Sequence, residues 1–382
     1  MTLPDVTFLG ARVLTPDGLA DTPLALSRGL IAEAPAGVSV DASGHLILPG
    51  IVDIHGDGFE RHLAPRRGAL ESLSAGLASL DAELAANGIT TAVLAQFFSW
   101  EGGMRGPDFA ERLADALAGT PMRADTMLQL RLETGMIGDF DRALALIGRA
   151  RIPYVVLNDH LPHRELAEGR RPPRLSGQAL KAQRSPEAHW KLLQEMHDRR
   201  DEVPAALAHF CAVARQHGVL IGSHDDHTAE DRARARALGA TLSEFPETAE
   251  AAMAARKAGE GVIMGAPNLV RGGSHAGKVA AGDLVAEGIV DALASDYHYP
   301  APARAAFRLA ADGMDLARAW ALVSSGPARL LGLSDRGRIV PGLRADLVIV
   351  EEEGHRIAAT VAGGEVSFLA GPLATRFLQA AT

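Results

Sequence analysis

Eight short apolar runs alternate with helix-like stretches along the middle of this 382-residue chain. They are rich in Val, Ile and Leu, which is typical of strands buried on both faces of a parallel sheet. Eight strand–helix units are the number that a TIM-like (β/α)8 barrel needs, so we predict this α/β fold. A doubly wound sheet is the alternative, because its strands have the same pattern. The runs begin at Leu46, Gly88, Asp125, Pro153, Gly218, Ala240, Gly261 and Val290.

The two ends of the chain contain short β-like segments separated by turn residues. VTFLGARVLTP and GHLILPGIVDIH lie near the start, and ADLVIVEEEG and RIAATVAGGEVSFLAG lie near the end. We therefore predict that residues 1–50 and 335–382 pair into one small β-sandwich domain. Residues 51–334 would form the barrel.

The composition excludes several classes of protein. Apolar residues make up 47% of the chain, enough for a large core, and the net charge of −9 argues against binding to nucleic acid. The single cysteine, Cys211, excludes a disulfide framework and a Cys-rich zinc site. We find no membrane-spanning run and no signal-peptide pattern, and therefore expect a cytoplasmic protein without a membrane partner. The sequence does not determine the oligomeric state, and a homo-oligomer is possible.

Polar side chains concentrate at the carboxyl ends of the apolar runs. His55 and Asp57 stand at i and i+2, on one face of the first strand or its exit turn. Parallel barrel strands deliver these ends to the rim where active sites are built, so we expect their side chains to meet. The further polar residues at strand ends are Glu133, His160, His224, Asp225, Asp226, Glu244, Asn268 and Asp296.

Imidazole and carboxylate groups together suit zinc, manganese or iron. Singly, each has an ordinary structural explanation, such as a hydrogen-bonded core histidine for His160 or a helix N-cap for Asp296. Separate structural explanations for every one of these polar residues, all at the same end of the barrel, are less plausible than a single site that they share. We therefore favour a site for two divalent ions, with zinc as the first choice. The predicted ligands are His55, Asp57, Glu133, His160, His224 and Asp296.

Several motifs resemble those of a known family. LILPGIVDIHGD resembles the opening of the amidohydrolase superfamily, in which Pro-Gly-x-x-Asp-x-His ends the first barrel strand. More narrowly, RLETG, NDH, GSHDDHT, GAPNLVRGGSHAGKVA and LASDYHYPA resemble, in this order, the PhnM family of bacterial phosphonate breakdown. This resemblance implies a diphosphatase that cuts α-D-ribose 1-methylphosphonate 5-triphosphate to the 5-phosphate and pyrophosphate.

The resemblance also implies roles for single residues. Many relatives bridge their metals with a carboxylated lysine, but no lysine ends a strand before His224 here, and Glu133 is the substitute. Asp296 would act as the general base. The implied arrangement is His55, Asp57 and Asp296 on one metal, His160 and His224 on the other, and Glu133 between them.

Two segments offer cations to a phosphorylated ribose substrate. NLVRGGSHAGK combines basic residues with glycines that allow a close backbone approach to an anion, although a solvated turn is the alternative. The stretch 160–184 is rich in arginine, and its Pro and Gly residues predict a loop after the fourth strand; a solvated surface is the alternative to phosphate binding there. The predicted substrate contacts are Arg61, Arg164, Asn268, Arg271, Ser274, His275 and Lys278.

Two other functions stay open. One is a deacetylase or deaminase of the same superfamily that acts on a C–N bond, and the other is a metal-free barrel that binds sugar phosphates. The basic segments favour the diphosphatase, because a neutral substrate would not need them. The family's usual Thr-Pro-Gly-Gln after Asp-His is replaced by Leu161-Pro162-His163-Arg164, which leaves the exact substrate open.

Overall fold

The computed structural model describes residues 5–35, 37–66, 72–273 and 278–380. Its strands are β1 Val6–Leu9, β2 Arg12–Thr15, β3 Gly18–Asp21, β4 Leu24–Ser27, β5 Leu30–Ala32, β6 Val38–Asp41, β7 His45–Pro49, β8 Ile51–Gly56, β9 Ile89–Phe98, β10 Asp125–Glu133, β11 Tyr154–Asn158, β12 Leu220–His224, β13 Leu242–Glu244, β14 Gly261–Gly265, β15 Ala292–Ala294, β16 Leu347–Glu351, β17 Ile357–Ala362 and β18 Glu365–Leu369.

The helices follow the same chain order. They are α1 Glu60–Leu63, α2 Leu73–Ala86, α3 Pro107–Gly119, α4 Phe140–Ala150, α5 His163–Ala167, α6 Leu175–Lys181, α7 Pro186–Asp198, α8 Val203–Gln216, α9 Ala229–Ala237, α10 Ala249–Lys257, α11 Ala266–Arg271, α12 Ala281–Ala286, α13 Ala301–Ala311, α14 Leu316–Ala321, α15 Ser325–Leu330 and α16 Gly371–Ala380. Short 3₁₀ turns lie at Gly103–Arg105 and Ile137–Asp139. No helix in these ranges is long and apolar enough to cross a membrane.

One eight-stranded sheet contains β8 to β15 in strictly sequential order. A parallel bridge between Gly56 and Asp296 joins its first and last strands, so the sheet closes on itself. A doubly wound sheet would instead reverse its strand order at a switch point. The predicted (β/α)8 barrel is therefore confirmed, and the doubly wound alternative is wrong.

Contacts divide the chain into two compact units. Unit 1 comprises residues 1–94, 120–126 and 263–382, and unit 2 comprises residues 95–119 and 127–262. The predicted boundaries of a sandwich domain, 1–50 with 335–382, stay a prediction.

Unit 1 contains two smaller sheets. The four-stranded sheet has the order β5-β4-β1-β6, and the six-stranded sheet has the order β18-β17-β16-β7-β2-β3. Strand β7 pairs antiparallel with β16, with Leu48 opposite Val348, so both ends of the chain build one sheet as predicted. An apolar core fills this region, and α16 covers it through an edge contact of 5.6 Å between the rings of Phe8 and Phe377.

Unit 2 carries a helical insertion after β11 that we expected to be a loop. Residues 160–184 contain the short helices α5 and α6, and α7 follows them. Their apolar side chains Leu166 and Leu175 are buried in a cluster with Trp100 and Met136. The segment is therefore a packed layer with its arginines on the outside. Short helices are not stable alone, and burial of the two leucines stabilises them here.

Candidate metal centre

In unit 1 the main chain brings three predicted ligands side by side. His55 is fully buried in β8, and Asp57 follows the strand. The main-chain N–H of Asp296 donates to the carbonyl of His55 at 3.0 Å, and the N–H of Asp57 donates to the carbonyl of Asp296 at 2.9 Å. Asp296 has a φ of +55°, a left-handed conformation that is uncommon outside glycine and clusters at functional sites.

Gly56 lies between His55 and Asp57, at a position where the structure leaves no room for a side chain. A Cβ there would lie 2.7 Å from Oδ2 of Asp53 and 2.8 Å from the ring of Tyr299. Asp53 is fully buried, and burial raises the pKa of its carboxyl group. The close packing of Asp53 and Tyr299 thus requires glycine as the middle residue of the His-Gly-Asp motif.

In unit 2 Glu133 and His160 form a pair. Glu133 is fully buried at the end of β10, and its Oε2 accepts a hydrogen bond of 3.1 Å from the main-chain N–H of His160. Its Oε1 bonds to Nδ1 of the same histidine and thereby raises the pKa of that imidazole. Nε2 is then the ring nitrogen that can face a metal, an arrangement in which a carboxylate orients a histidine ligand.

His224 and Glu244 form a second pair in unit 2. They end β12 and β13 as direct neighbours in the parallel register, and candidate ligand atoms of the two lie within 4.8 Å of each other. Glu244 is fully buried and accepts hydrogen bonds from Tyr154 Oη at 2.8 Å and Gln129 Nε2 at 2.7 Å. Burial raises the pKa of Tyr154 well above its usual value, so its hydroxyl remains a donor.

Arg131 also contacts His224. Its Nη2 lies 3.1 Å from Nε2 of His224, and Oδ2 of Asp225 lies 3.0 Å from Nδ1. Arginine can only donate, so Nη2 of Arg131 is the donor and the lone pair on Nε2 of His224 accepts this hydrogen bond. Asp225 has a φ of +59° and Phe245 a φ of +50°, so the exits of β12 and β13 share the left-handed backbone of Asp296.

A cavity of about 550 Å³ in unit 2 opens beside these histidines. Both His160 and His224 line it, together with Asn158, Asp159 and Asp225. Nitrogen and carboxylate ligands of this kind fit a zinc, manganese or iron ion, and buried carboxylates need such a cation or a hydrogen-bonding partner. The donor set of unit 2 therefore fits a divalent metal.

Comparison with known proteins agrees with this chemistry. The sequence model of the Amidohydrolase family matches residues 58–367. This chain belongs to the amidohydrolase family. It is also 34% identical over 337 residues to the alpha-D-ribose 1-methylphosphonate 5-triphosphate diphosphatase of Escherichia coli (strain K12), a match that covers 84% of this chain and 86% of the relative.

Solved structures share the fold of this amidohydrolase. A putative prolidase from Bifidobacterium longum superposes with a TM-score of 0.64 and 15% identity, covering all of both chains. The beta-aspartyl dipeptidase of Fervidobacterium islandicum AW-1 gives a TM-score of 0.63 and 15% identity over 96% of this chain and 99% of its own. These likenesses support the barrel and leave the substrate open.

The predicted substrate contacts of the amidohydrolase lie in different places. In unit 1, Arg61 donates to the carbonyl of Tyr297 at 3.0 Å and pairs with Glu83, while Cζ of Arg271 lies 5.2 Å from the centre of the Tyr297 ring. Lys278 is exposed at the edge of a gap in the described chain. Ser274 and His275 lie outside the described residues.

Two further predicted contacts have partners within the protein. Asn268 accepts a hydrogen bond of 3.1 Å from the N–H of Ala281 through its amide oxygen, which anchors the start of α12. The side chain of Arg164 in unit 2 is 82% exposed and lies 3.5 Å from Glu168. A role in substrate binding stays a prediction for both residues.

Sequence reasoning missed two residues of the candidate centre. Glu244 ends a strand like the predicted ligands but is not among them. Arg131 alternates with Gln129 and Glu133 along β10, so the three side chains share one face of the strand. Three polar residues at alternate positions of a buried strand are the signal that could have identified Arg131.

Proposed function

We propose that this amidohydrolase cleaves α-D-ribose 1-methylphosphonate 5-triphosphate to the 5-phosphate and pyrophosphate. The observation that carries this proposal is the 34% identity to the Escherichia coli diphosphatase over 84% of the chain. The prolidase and the dipeptidase share only 15% identity with this chain, so their activities do not bear on its substrate. The substrate is thus a phosphorylated small molecule.

The proposed chemistry uses two divalent ions, with zinc first and manganese or iron as alternatives. Metals of this kind polarise phosphoryl oxygens and lower the pKa of bound water. We add Glu244 to the ligand set because it is buried beside His224 and because Tyr154 and Gln129 orient its carboxylate. The proposed ligands are His55, Asp57, Glu133, His160, His224, Glu244 and Asp296.

Asp296 is the proposed general base. A water oxygen adds to the phosphorus nearest the ribose, the bond to the pyrophosphate oxygen breaks, and the carboxylate of Asp296 takes the water proton. The hydrogen bond from its main-chain N–H to the carbonyl of His55 fixes its backbone beside the histidine. The main chain of Asp296 thus lies next to a proposed metal ligand, and a general base must lie within hydrogen-bond reach of the water it deprotonates.

Phosphorus NMR of the reaction tests the proposal directly. The full chain, loaded with zinc, manganese or iron, should release pyrophosphate from the ribosyl triphosphate, and elemental analysis should find bound metal. Asp296→Asn should lower turnover by roughly 10²–10⁴-fold, the range for loss of a general base. Asp312→Asn is the matched control, because Asp312 is exposed and pairs only with Arg308 among the described contacts.

Other outcomes would favour the alternatives. Hydrolysis of N-acetyl sugars or cyclic amides without pyrophosphate release would support a C–N hydrolase and refute the diphosphatase. A chain that holds no metal, shows no turnover and still binds ribose phosphates would be a sugar-phosphate-binding barrel.

A further inference from the structure

Two arginines of unit 2 lie over one buried phenylalanine ring. Cζ of Arg131 is 4.0 Å from the centre of the Phe97 ring, and Cζ of Arg105 is 4.2 Å from it. Phe97 is only 4% exposed and lies near the end of β9, and Arg131 is 6% exposed in β10. Neither arginine belongs to the predicted substrate contacts.

Each arginine is also held at its polar end. Nη1 of Arg105 donates to both carboxylate oxygens of Glu101, at 3.2 and 3.0 Å, and the carbonyl of Arg105 accepts a hydrogen bond of 2.8 Å from the N–H of Ser99. Nη2 of Arg131 contacts His224 at 3.1 Å. The two guanidinium groups are therefore fixed near the carboxyl ends of β9 and β10, where a barrel places its site.

This arrangement suits a polyvalent oxyanion. A guanidinium stays charged at every physiological pH, and stacking on an aromatic ring uses its flat face. The N–H donors in its plane have the fork geometry that matches phosphoryl oxygens. The side chain of Arg105 is 37% exposed, so a ligand from solution can reach it.

We propose that Arg105 and Arg131, held over Phe97, bind the two terminal phosphates of the substrate, the group that leaves as pyrophosphate. This subsite rests on the proposed function. Negative charge builds up on the leaving pyrophosphate as the phosphoanhydride bond breaks, and fixed cations at that position stabilise it. The predicted contact Arg164 is less suitable, because its side chain is mostly exposed and close to Glu168.

Calorimetric titration with inorganic pyrophosphate and tripolyphosphate tests the subsite on the metal-loaded full chain. Arg105→Gln should weaken pyrophosphate binding at least ~10-fold, since hydrogen bonds to charged groups are strong. Glu101→Gln should tighten it, because the carboxylate competes with the ligand for Arg105. Arg112→Gln is the matched control and should change nothing: Arg112 is exposed on α3, 5.5 Å from the ring of Phe109.

Arg131 is buried, so its substitution needs a second readout. Arg131→Lys keeps the charge and loses the fork, and it should raise the Michaelis constant for the triphosphate while circular dichroism shows an intact fold. The exposed Arg105 supplies the decisive variant. Unchanged pyrophosphate affinity in folded Arg105→Gln would overturn the subsite.

The failure of the subsite and the failure of the proposed function give different results. A chain that cleaves the triphosphate while Arg105→Gln binds pyrophosphate like the wild type would refute the subsite alone. A chain that does not cleave it, but loses pyrophosphate affinity on Arg105→Gln, would refute the reaction and support the subsite.

Discussion

Ser295 donates two hydrogen bonds to the carboxylate of Asp53, one from its main-chain nitrogen at 2.8 Å and one from its hydroxyl at 2.5 Å. Asp53 lies in β8 and Ser295 directly follows β15, so the pair ties the first barrel strand to the last. Both residues are fully buried. A polar contact between residues far apart in the sequence therefore lies where the first and last barrel strands meet.

Ser295→Ala should destabilise the protein by ~1–3 kcal/mol, the usual cost of leaving a buried acceptor without one of its donors. Urea unfolding followed by circular dichroism measures the loss. Ser74→Ala is the control: Ser74 is exposed in α2, and its hydroxyl contacts only Ser72 among the described contacts. Equal stability of Ser295→Ala and Ser74→Ala would show that this contact does not stabilise the fold.

Tyr154→Phe should weaken metal binding by roughly 10–100-fold, because the hydroxyl of Tyr154 orients the carboxylate of Glu244 and such supporting contacts have effects of this size. Competition with a chelating indicator gives the affinity independently of turnover. Tyr297→Phe provides the comparison, since Tyr297 is 41% exposed. If both variants bind metal like the wild type, Glu244 is not a ligand that depends on Tyr154.

Cys211 should resist thiol reagents in the native protein. It is fully buried in α8, and burial raises the pKa of its thiol to about 12. The thiolate is the reactive form, so reaction with a disulfide reagent at pH 8 should be slow and should accelerate in urea. A fast native reaction would show that α8 opens readily.

His163 should titrate above its usual range, because its Nε2 bonds to the carboxylate of Asp159 at 3.0 Å and this bond raises the pKa of the imidazole. A raised folded-state pKa stabilises the fold below the unfolded value of about 6.5, and the benefit is lost as the pH rises through the folded pKa. NMR titration should give a lower pKa in Asp159→Asn. Asp141→Asn, an exposed change in α4, should leave it unaltered.

The barrel could be predicted because each of its strands is an apolar run with a polar exit. The insertion after β11 could not, since Pro162, Gly169 and the arginines suggest a loop, and the burial of Leu166 and Leu175 against Trp100 depends on distant residues. The residue pattern within the insertion cannot predict its helices, because residues distant in the sequence provide the apolar core that stabilises them.

Sequence reasoning missed Glu244, although it ends a strand like the predicted ligands, and it missed Arg131, which lies within a strand. Arg131 is buried within β10, two residues before the strand ends, where sequence rules expect an apolar residue. Its contacts with Phe97 and His224 compensate for the burial, and both partners come from other strands. The alternation of three polar residues was visible, but its partners were not.

The pairing of β7 with β16 also affects how the chain is made. A ribosome adds about 5–20 residues per second. Because the whole barrel sequence is synthesised between β7 and its antiparallel partner β16, the partner follows on the order of tens of seconds later. Over that time one edge of β7 lacks its final neighbour, and an unpaired strand edge invites association with other chains. Newly synthesised protein should therefore depend on chaperones until residues 347–369 emerge.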